Sequence, residues 1–281
     1  MNMAILPIRR DLKFNLPADK ATDWHEAGMH VAQFFNTLSL FFPVGERFFI
    51  DSVRHYRDQV TDPELKKAVT AFIGQEAMHG REHDELNDLL DAAGVPAKAQ
   101  EKFVLNLLKG VQKYTPKHFQ LAATVALEHL TAILADSLLR NPETLGKSDE
   151  RFVALWNWHA LEETEHKAVA FDVYTTVMGK TLYSYALRTS TLVLATSIFM
   201  ALQYPFYIEN VRRKGGLFNL KGWVKTFQYQ WGRPGTLRQA VGDWFDWFKP
   251  GFHPWDHDNR AFLERLDSVL EVITREEDKA A

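Results

Sequence analysis

A repeated spacing of glutamate and histidine constrains this chain more than any other feature of its sequence. In the first half, Glu46 precedes the Glu76-x-x-His79 pair by 30 residues. A turn signal at residues 61–63, typical of the start of a new helix, lies midway between the two glutamates. Two antiparallel helices joined at that turn would place both carboxylates at the same height, roughly 20 Å from the loop. The sequence therefore predicts that Glu46 and Glu76 face a shared interior.

The second half of the chain repeats this construction. Glu128 precedes the Glu163-x-x-His166 pair by 35 residues, and a break that contains Pro142 and Gly146 is centred between them. Glu-x-x-His is a short motif, and about 0.7 copies are expected by chance in a chain of this composition. The evidence is therefore the matched position of each pair relative to its lone glutamate and its turn. Four helices with carboxylates and imidazoles on facing surfaces are predicted.

His159 adds a second imidazole to the last of these helices. At 100° per residue, His159, Glu163 and His166 fall within about 60° of one another. Burial of two imidazoles and a carboxylate costs free energy unless they are paired or bind a metal. Glu162, four residues before His166, is the rival of Glu163, and the Glu-x-x-His spacing favours Glu163.

Composition limits the chemistry that these residues can perform. The chain has 281 residues, 46% of them hydrophobic, so it can bury a large core. Its formal net charge of −3 gives no reason to expect nucleic acid as a partner. It contains no cysteine, so any metal must take nitrogen and oxygen ligands. No apolar stretch follows the charged residues near the N-terminus, and the cytoplasm is the expected location, with membrane association as an alternative.

Helix start and stop signals predict an all-α fold. Residues 1–21 are expected to form an extended arm, and Asp23 to cap the first helix. Helices are predicted at 23–40, 44–60, 63–93, 97–113, 116–140, 149–179 and 259–277, with 97–113 as the crossover between the two antiparallel pairs. Residues 1–180 are expected to form a metal-binding bundle with its arm, and residues 181–281 a helical, aromatic-rich cap packed on it.

Other polar residues near the predicted site have simpler interpretations. Glu46 follows Pro43 closely, so a helix-start charge is an alternative to a metal ligand there. His83 is expected to be a solvated member of the charge run 81–85, and His129 to have an outer or surface role. Four further histidines are expected to be packing, surface or loop residues: His25, His30, His253 and His257.

The sequence changes character beyond residue 180. Residues 189–208 contain no formal charge and are long enough to span a bilayer, but polar residues and Pro205 interrupt them. A helix packed on the bundle is favoured, and membrane contact through 189–255 is the alternative. Five of the eight tryptophans lie between 223 and 255. This region is expected to cover the bundle and to shape an apolar cavity that reaches Glu46 and Glu128.

Six of these residues resemble the ligand set of the ferritin-like di-iron carboxylate superfamily: Glu46, Glu76, His79, Glu128, Glu163 and His166. His159 adds a His-x-x-x-Glu-x-x-His arrangement that is similar to that of the di-iron arylamine N-oxygenases. The sequence as a whole looks closest to a bacterial family of predicted metal-dependent hydrolases. The motif resemblance covers residues 44–172. It implies a ferritin-like four-helix bundle with a crossover helix and extra C-terminal helices.

The resemblance implies a site for two metal ions, with all seven residues as ligands and with Glu46, Glu128 and His159 as catalytic residues. Four glutamates balance two divalent ions, and iron, manganese or a mixed pair suits these ligands. We expect a di-iron oxygenase or oxidase that uses dioxygen, an electron donor and a small apolar organic substrate. The alternatives are a two-metal hydrolase of an ester or phosphate and a non-catalytic metal or ferroxidase bundle. A homodimer is compatible with the sequence.

Overall fold

The computed structural model describes residues 5–280, with side chains up to residue 273. Within this range the protein is all-α, as predicted, and contains no β-strand. The helices are α1 (Met29–Ser39), α2 (Phe42–Tyr56), α3 (Pro63–Ala92), α4 (Ala97–Tyr114), α5 (Lys117–Arg140), α6 (Glu150–His166), α7 (Val169–Met178), α8 (Leu182–Arg213), α9 (Leu220–Trp231), α10 (Thr236–Asp246) and α11 (Leu266–Ala280). The part of the predicted arm before residue 5 lies outside the described residues.

Helices α2 to α5 lie close to their predicted bounds, and local capping explains why. At the start of α3, the Asp62 side chain accepts hydrogen bonds from two backbone N–H groups of the first turn. Pro63 occupies the first helical position, where no intrahelical donor is lost. The Asp149 side chain caps α6 in the same way, by accepting from the backbone N–H of Arg151 at 3.1 Å.

Three helix predictions were wrong at their boundaries. The last α-helix begins at Leu266, later than the predicted residue 259, because Arg260–Arg265 form a 3-10 helix. The first helix begins at Met29, later than expected, because Gly28 before it has a left-handed φ of 92° that a helix cannot continue through. The predicted helix 149–179 is divided into α6 and α7. At the break, the Lys167 ammonium donates hydrogen bonds to the segment 257–259 at 2.6 and 2.7 Å. A contact from the far end of the chain therefore holds this break, and local sequence does not reveal it.

Helices α2, α3, α5 and α6 enclose a buried polar cluster. Helix α2 packs along α3 and α5 along α6, while α2 also contacts α5 and α3 contacts α6. One glutamate from each helix projects inward, and none of the four is more than 3% exposed: Glu46, Glu76, Glu128 and Glu163. Glu46 is buried and lies beyond the first turn of α2, so the alternative of a helix-start charge there is wrong.

The N-terminal arm crosses α3 and α6. Phe14 is buried, and its backbone N–H donates to the Glu82 carboxylate of α3 at 3.2 Å. The backbone N–H of Ile8 donates to Glu165 of α6 at 3.4 Å, and its carbonyl accepts from the Gln75 amide of α3 at 3.1 Å. The arm is thus bonded to both helices that carry the Glu-x-x-His pairs.

Helices α8, α9 and α10 pack on α1 and α5 but leave outer faces exposed. Helix α8 continues through Pro205 and contacts both α5 and α1. Among the described residues, two helices are long and apolar enough to cross a membrane: α5, 72% buried over its apolar window, and α8, 22% buried. The expected cap is therefore only partly buried. The predicted amphipathic pattern of the last helix rests in part on side chains after residue 273, which lie outside those described.

Candidate metal centre

The seven predicted ligands meet in one buried cluster. Three groups of three have donor atoms that all lie within 4.8 Å of one another: Glu46, His79 and His159; Glu76, His79 and Glu163; and Glu76, Glu128 and His166. His79 and Glu76 each belong to two of these groups, so the groups form a continuous set. All seven residues are at most 4% exposed. Sequence spacing alone thus identified residues that the fold brings together from four helices.

Each of the three histidines uses one ring nitrogen for an outer partner. The pairs are His79 Nε2 with Glu162 Oε2 at 3.1 Å, His159 Nδ1 with His83 Nε2 at 2.7 Å, and His166 Nδ1 with Gln75 Oε1 at 3.0 Å. The other nitrogen of each ring faces the glutamates of the cluster. Metal-binding imidazoles have this arrangement, because the outer hydrogen bond fixes the tautomer and the ring orientation.

Glu163 lies at the centre of the cluster. Its Oε1 atom is 3.2 Å from His159 Nε2, 3.3 Å from His166 Nε2 and 3.8 Å from His79 Nδ1. Its Oε2 atom accepts a hydrogen bond from Thr131 Oγ1 at 2.6 Å. The rival Glu162 instead lies on the outer side of His79. The geometry therefore favours Glu163 as the glutamate that shares the interior with all three imidazoles.

Many polar atoms of the cluster lack a hydrogen-bond partner among the described residues. They are both carboxylate oxygens of Glu46, Glu76 and Glu128, together with His79 Nδ1 and His166 Nε2. His166 Nε2 lies 3.0 Å from Glu76 Oε1, but the two atoms are not aligned for a hydrogen bond. Unpaired polar atoms in a protein interior cost free energy. Metal ions would satisfy all of these atoms at once, so the donor set fits a metal centre.

Burial and mutual repulsion favour the neutral form of three of the four carboxylates. Burial raises the pKa of Glu76 to about 7, against the opposing effect of the nearby His166. Burial and the neighbouring carboxylates raise the pKa values of Glu46 and Glu128 well above normal. Burial also raises the pKa of Glu163, but the charge of His166 and hydrogen bonds outweigh it, and this pKa lies well below normal. Glu163 is therefore the ionised carboxylate.

An arginine of the N-terminal arm joins the outer partners. Arg10 donates to Glu162 Oε1 at 2.9 Å and to the two oxygens of Glu165 at 2.9 and 2.8 Å. The Gln75 amide also donates to Glu165, at 2.7 Å. Burial lowers the pKa of Arg10, but its bonds to Glu165 and Glu162 raise it above the usual value. Glu162 thus links the charged guanidinium to His79, and Glu165 together with Gln75 links it to His166.

His83 is not the solvated residue that its charged neighbours suggested. It is fully buried, and its Nδ1 lies 2.9 Å from Ser39 Oγ while its Nε2 contacts His159. Burial lowers the pKa of His83 well below normal, so its ring is neutral. Its position four residues after His79 places it on the same helix face, which is the signal that could have identified it.

Three other histidines are buried in packing contacts: His25, His30 and His129. His129 contacts the Asp243 carbonyl of α10 at 3.2 Å and stacks on Trp247, and burial lowers its pKa to about 3. His25 and His30 are buried against backbone carbonyls, as expected of packing residues.

An apolar cavity of about 230 Å³ adjoins the cluster. It reaches Glu46, as expected, and also His159 and Glu163, but Glu128 is not part of its wall. Phenylalanine and aliphatic side chains from α1, α2, α4, α5 and α8 form most of that wall. Two wall residues have a buried donor with no partner among the described residues: the Trp156 indole N–H and the Thr236 hydroxyl. A ligand that fits this cavity would therefore be largely apolar.

The fold and the donor set define an all-helical protein with a buried glutamate–histidine cluster of the kind that binds metal. A family model described as "Predicted metal-dependent hydrolase" matches residues 8–258, and the chain belongs to this family. No curated protein and no solved structure matches it. The resemblance to this family is thus confirmed. The family's description supports the hydrolase alternative better than the oxygenase that the ligand pattern suggested, while the ferritin-like and N-oxygenase resemblances stay predictions.

Proposed function

We propose that this protein is a hydrolase that holds two metal ions in the seven-residue cluster and cleaves an apolar ester bound in the adjoining cavity. The observation that carries the proposal is the orientation of the three histidines. One ring nitrogen of each contacts an outer partner, and the other nitrogen faces the glutamates. The family description supplies the reaction class. In this proposal α2, α3, α5 and α6 form a ferritin-like bundle, and α4 is its crossover.

The proposed ligands divide between two ions. One ion would be held by Glu46, His79 and His159, and the other by Glu76, Glu128 and His166, as two of the three donor groups suggest. Glu163 would be shared, because its Oε1 atom lies within 3.8 Å of all three imidazoles. Iron, manganese or a mixed pair suits these ligands, and anomalous scattering at the two absorption edges would identify the metals.

When bound, two such ions would supply a water molecule activated as a nucleophile and a Lewis acid for the ester carbonyl. The chain itself would bind the acyl part by burying it against the cavity wall. Glu46 and His159 reach the cavity and would contact the substrate. Glu128 does not, so a catalytic role for it has less support than a ligand role.

The test uses metal-loaded protein and nitrophenyl esters of increasing acyl length under anaerobic conditions. We expect cleavage that rises with acyl length, because the cavity is apolar, and that stops when a chelator removes the metal. Glu163→Gln should lower both metal content and activity, whereas Glu85→Gln, at an exposed position of α3, should change neither. Absence of metal-dependent cleavage at every acyl length would refute the hydrolase.

Dioxygen-dependent oxidation is the second candidate function. The observation that favours it is the isolation of the cluster, whose residues are at most 4% exposed and adjoin an apolar cavity. Such an environment admits an apolar gas more readily than water, and four glutamates keep a pair of divalent ions neutral. Oxygen consumption by the iron-loaded protein with a reductant, in the absence of ester cleavage, would establish this candidate in place of the hydrolase.

A further inference from the structure

Helix α9 presents an apolar stripe to solvent. The stripe consists of Leu220, Val224, Phe227 and Trp231, which are 75%, 56%, 65% and 42% exposed. Their spacing places them within about 60° of one another around the helix. The opposite side of α9 is occupied by the protein, because the Thr226 hydroxyl bonds to a tyrosine of α8 at 3.1 Å. Helix α9 thus packs on the protein with one side and leaves the apolar stripe on its other side uncovered.

Basic residues accompany this stripe. Lys221 and Lys225 are exposed and lie about 100° further round the helix than Leu220 and Val224. Residues 210–242 contain seven lysines and arginines and no aspartate or glutamate, although the whole chain has a net charge of −3. Two of the seven, Arg212 and Arg213, pair with Glu209. The others give this region a positive charge beside its apolar stripe.

The outer face of α8 continues the apolar surface to the cavity. Leu194 and Ile198 of α8 and Leu107 of α4 line the cavity and are 47%, 39% and 36% exposed. The cavity mouth therefore lies between α4 and α8. Along the same helix, Val193 and Ile208 are also exposed, and residues 189–208 carry no charge. Tyr207 of α8 packs on α9, so this mouth and the α9 stripe belong to adjacent helices.

We propose that this combined surface, the α9 stripe with the outer face of α8, docks on an anionic lipid bilayer. An in-plane helix with aromatic and aliphatic residues on one face and lysines beside them is the chemistry that binds at a lipid interface. Anionic headgroups complement the five basic residues of 210–242 that do not pair with Glu209. The cavity mouth would then open towards lipid, and an apolar substrate would enter from the bilayer. This last step rests on the proposed function, but docking does not.

Helix α8 lies on the bilayer in this proposal and does not cross it. Its inner side is bonded to the rest of the protein along most of its length. Thr191 donates to the Ala122 carbonyl of α5, Gln203 to the Phe34 carbonyl of α1, and Asn210 to a threonine hydroxyl of α1. These contacts leave only the outer face free for lipid.

Cosedimentation of the full-length protein with lipid vesicles tests the proposal without any turnover. We expect binding to vesicles of equimolar phosphatidylcholine and phosphatidylglycerol, and much weaker binding to phosphatidylcholine alone. Replacing Lys221 and Lys225 together by glutamine should weaken binding roughly thirty-fold, since each basic residue near an anionic surface contributes about 1 kcal/mol, or a factor of about five. The control replaces Lys66 and Lys67, exposed on α3, by glutamine, and should leave binding unchanged.

The apolar stripe is tested with Phe227→Gln, which should weaken binding roughly tenfold through lost apolar burial. Tryptophan fluorescence should shift to shorter wavelength on vesicle addition, because Trp231 enters the interface. Equal binding to both kinds of vesicle, or none to either, would overturn the proposal. A dimer in sedimentation velocity that Phe227→Gln converts to a monomer, without vesicle binding, would instead assign the stripe to self-association. If the metal-loaded protein binds vesicles but cleaves no ester, the proposed function is refuted and the docking proposal stands.

Discussion

Arg10 of the N-terminal arm is hydrogen-bonded to Glu162 and Glu165, and we therefore predict that the arm stabilises both the fold and the metal site. The informative change is Arg10→Met, which keeps the aliphatic stem of the side chain and removes the guanidinium. The Arg10 side chain is 14% exposed, and those of Glu162 and Glu165 are 0% and 6% exposed. The substitution therefore leaves two buried carboxylates without their cation.

Removal of one partner from a buried ion pair costs about 3 to 5 kcal/mol, because the other charge stays buried. Arg10 retains some contact with solvent, and the Glu162 carboxylate, whose pKa burial raises, can take up a proton, so we expect the lower end, about 3 kcal/mol. For a chain of this size that corresponds to a fall in Tm of roughly 6 °C. His79 should also be affected, because a protonated Glu162 no longer orients its ring, and metal affinity should fall about tenfold or more.

Chemical denaturation of protein stripped of metal measures the first effect, and competition with a metal indicator measures the second. The matched control is Lys67→Met, which breaks an ion pair with Glu64 whose side chains are 62% and 74% exposed. An exposed pair of this kind contributes up to about 1 kcal/mol, and Lys67→Met should not alter metal binding. Arg10→Lys should recover part of the stability, since it restores charge but not the forked geometry. If Arg10→Met and Lys67→Met lose equal stability and bind metal equally well, the reasoning is refuted.

Three further predictions concern the cluster itself. Metal binding should release protons, measured by calorimetry in buffers of different ionisation enthalpy. Because the pKa of Glu76 is raised to about 7, release should be greater below that pH, and apparent affinity should fall at least about tenfold per unit as pH decreases through it. Gly80→Ala should weaken metal binding, since the added Cβ would lie 3.1 Å from Glu46 Oε2. The control is Gly110→Ala, whose Cβ meets nothing within 4 Å and which should only stabilise α4, by about 0.5 to 1 kcal/mol. Unchanged metal content in Gly80→Ala would contradict this packing argument. His159→Ala should keep the fold and most of the metal but impair activity. Unchanged activity would show that His159 is only a packing residue.

The sequence was sufficient to predict the cluster because the position of each ligand along its helix follows from local rules. Pro63 and the Asp149 cap fix where two helices start, and a helix advances by a constant rise per residue. The distance of a glutamate from its turn therefore determines its height in the fold. For this reason Glu46 comes close enough to Glu76, and Glu128 to Glu163, for their charges to interact.

The outer partners could not be predicted in the same way. Arg10 is 152 residues from Glu162 and 155 from Glu165, and it lies in an arm without regular secondary structure. No periodicity relates an extended arm to a helix, so such contacts depend on tertiary packing. His83 was misassigned for a related reason. Its charged neighbours occupy the other faces of α3, and a run of charges along a chain says little about the single face that is buried.

The arm and the metal site are linked in both directions. Metal ions would hold the inner nitrogens of His79 and His166, and those rings are fixed from outside by Glu162 and Gln75. If Arg10 raises metal affinity by holding these rings in place, thermodynamic linkage requires bound metal to strengthen the binding of the arm by the same factor. The family match begins at residue 8, so it includes Arg10 together with the cluster. The functional unit therefore extends beyond the four helices that carry the ligands and includes the arm that holds their outer partners.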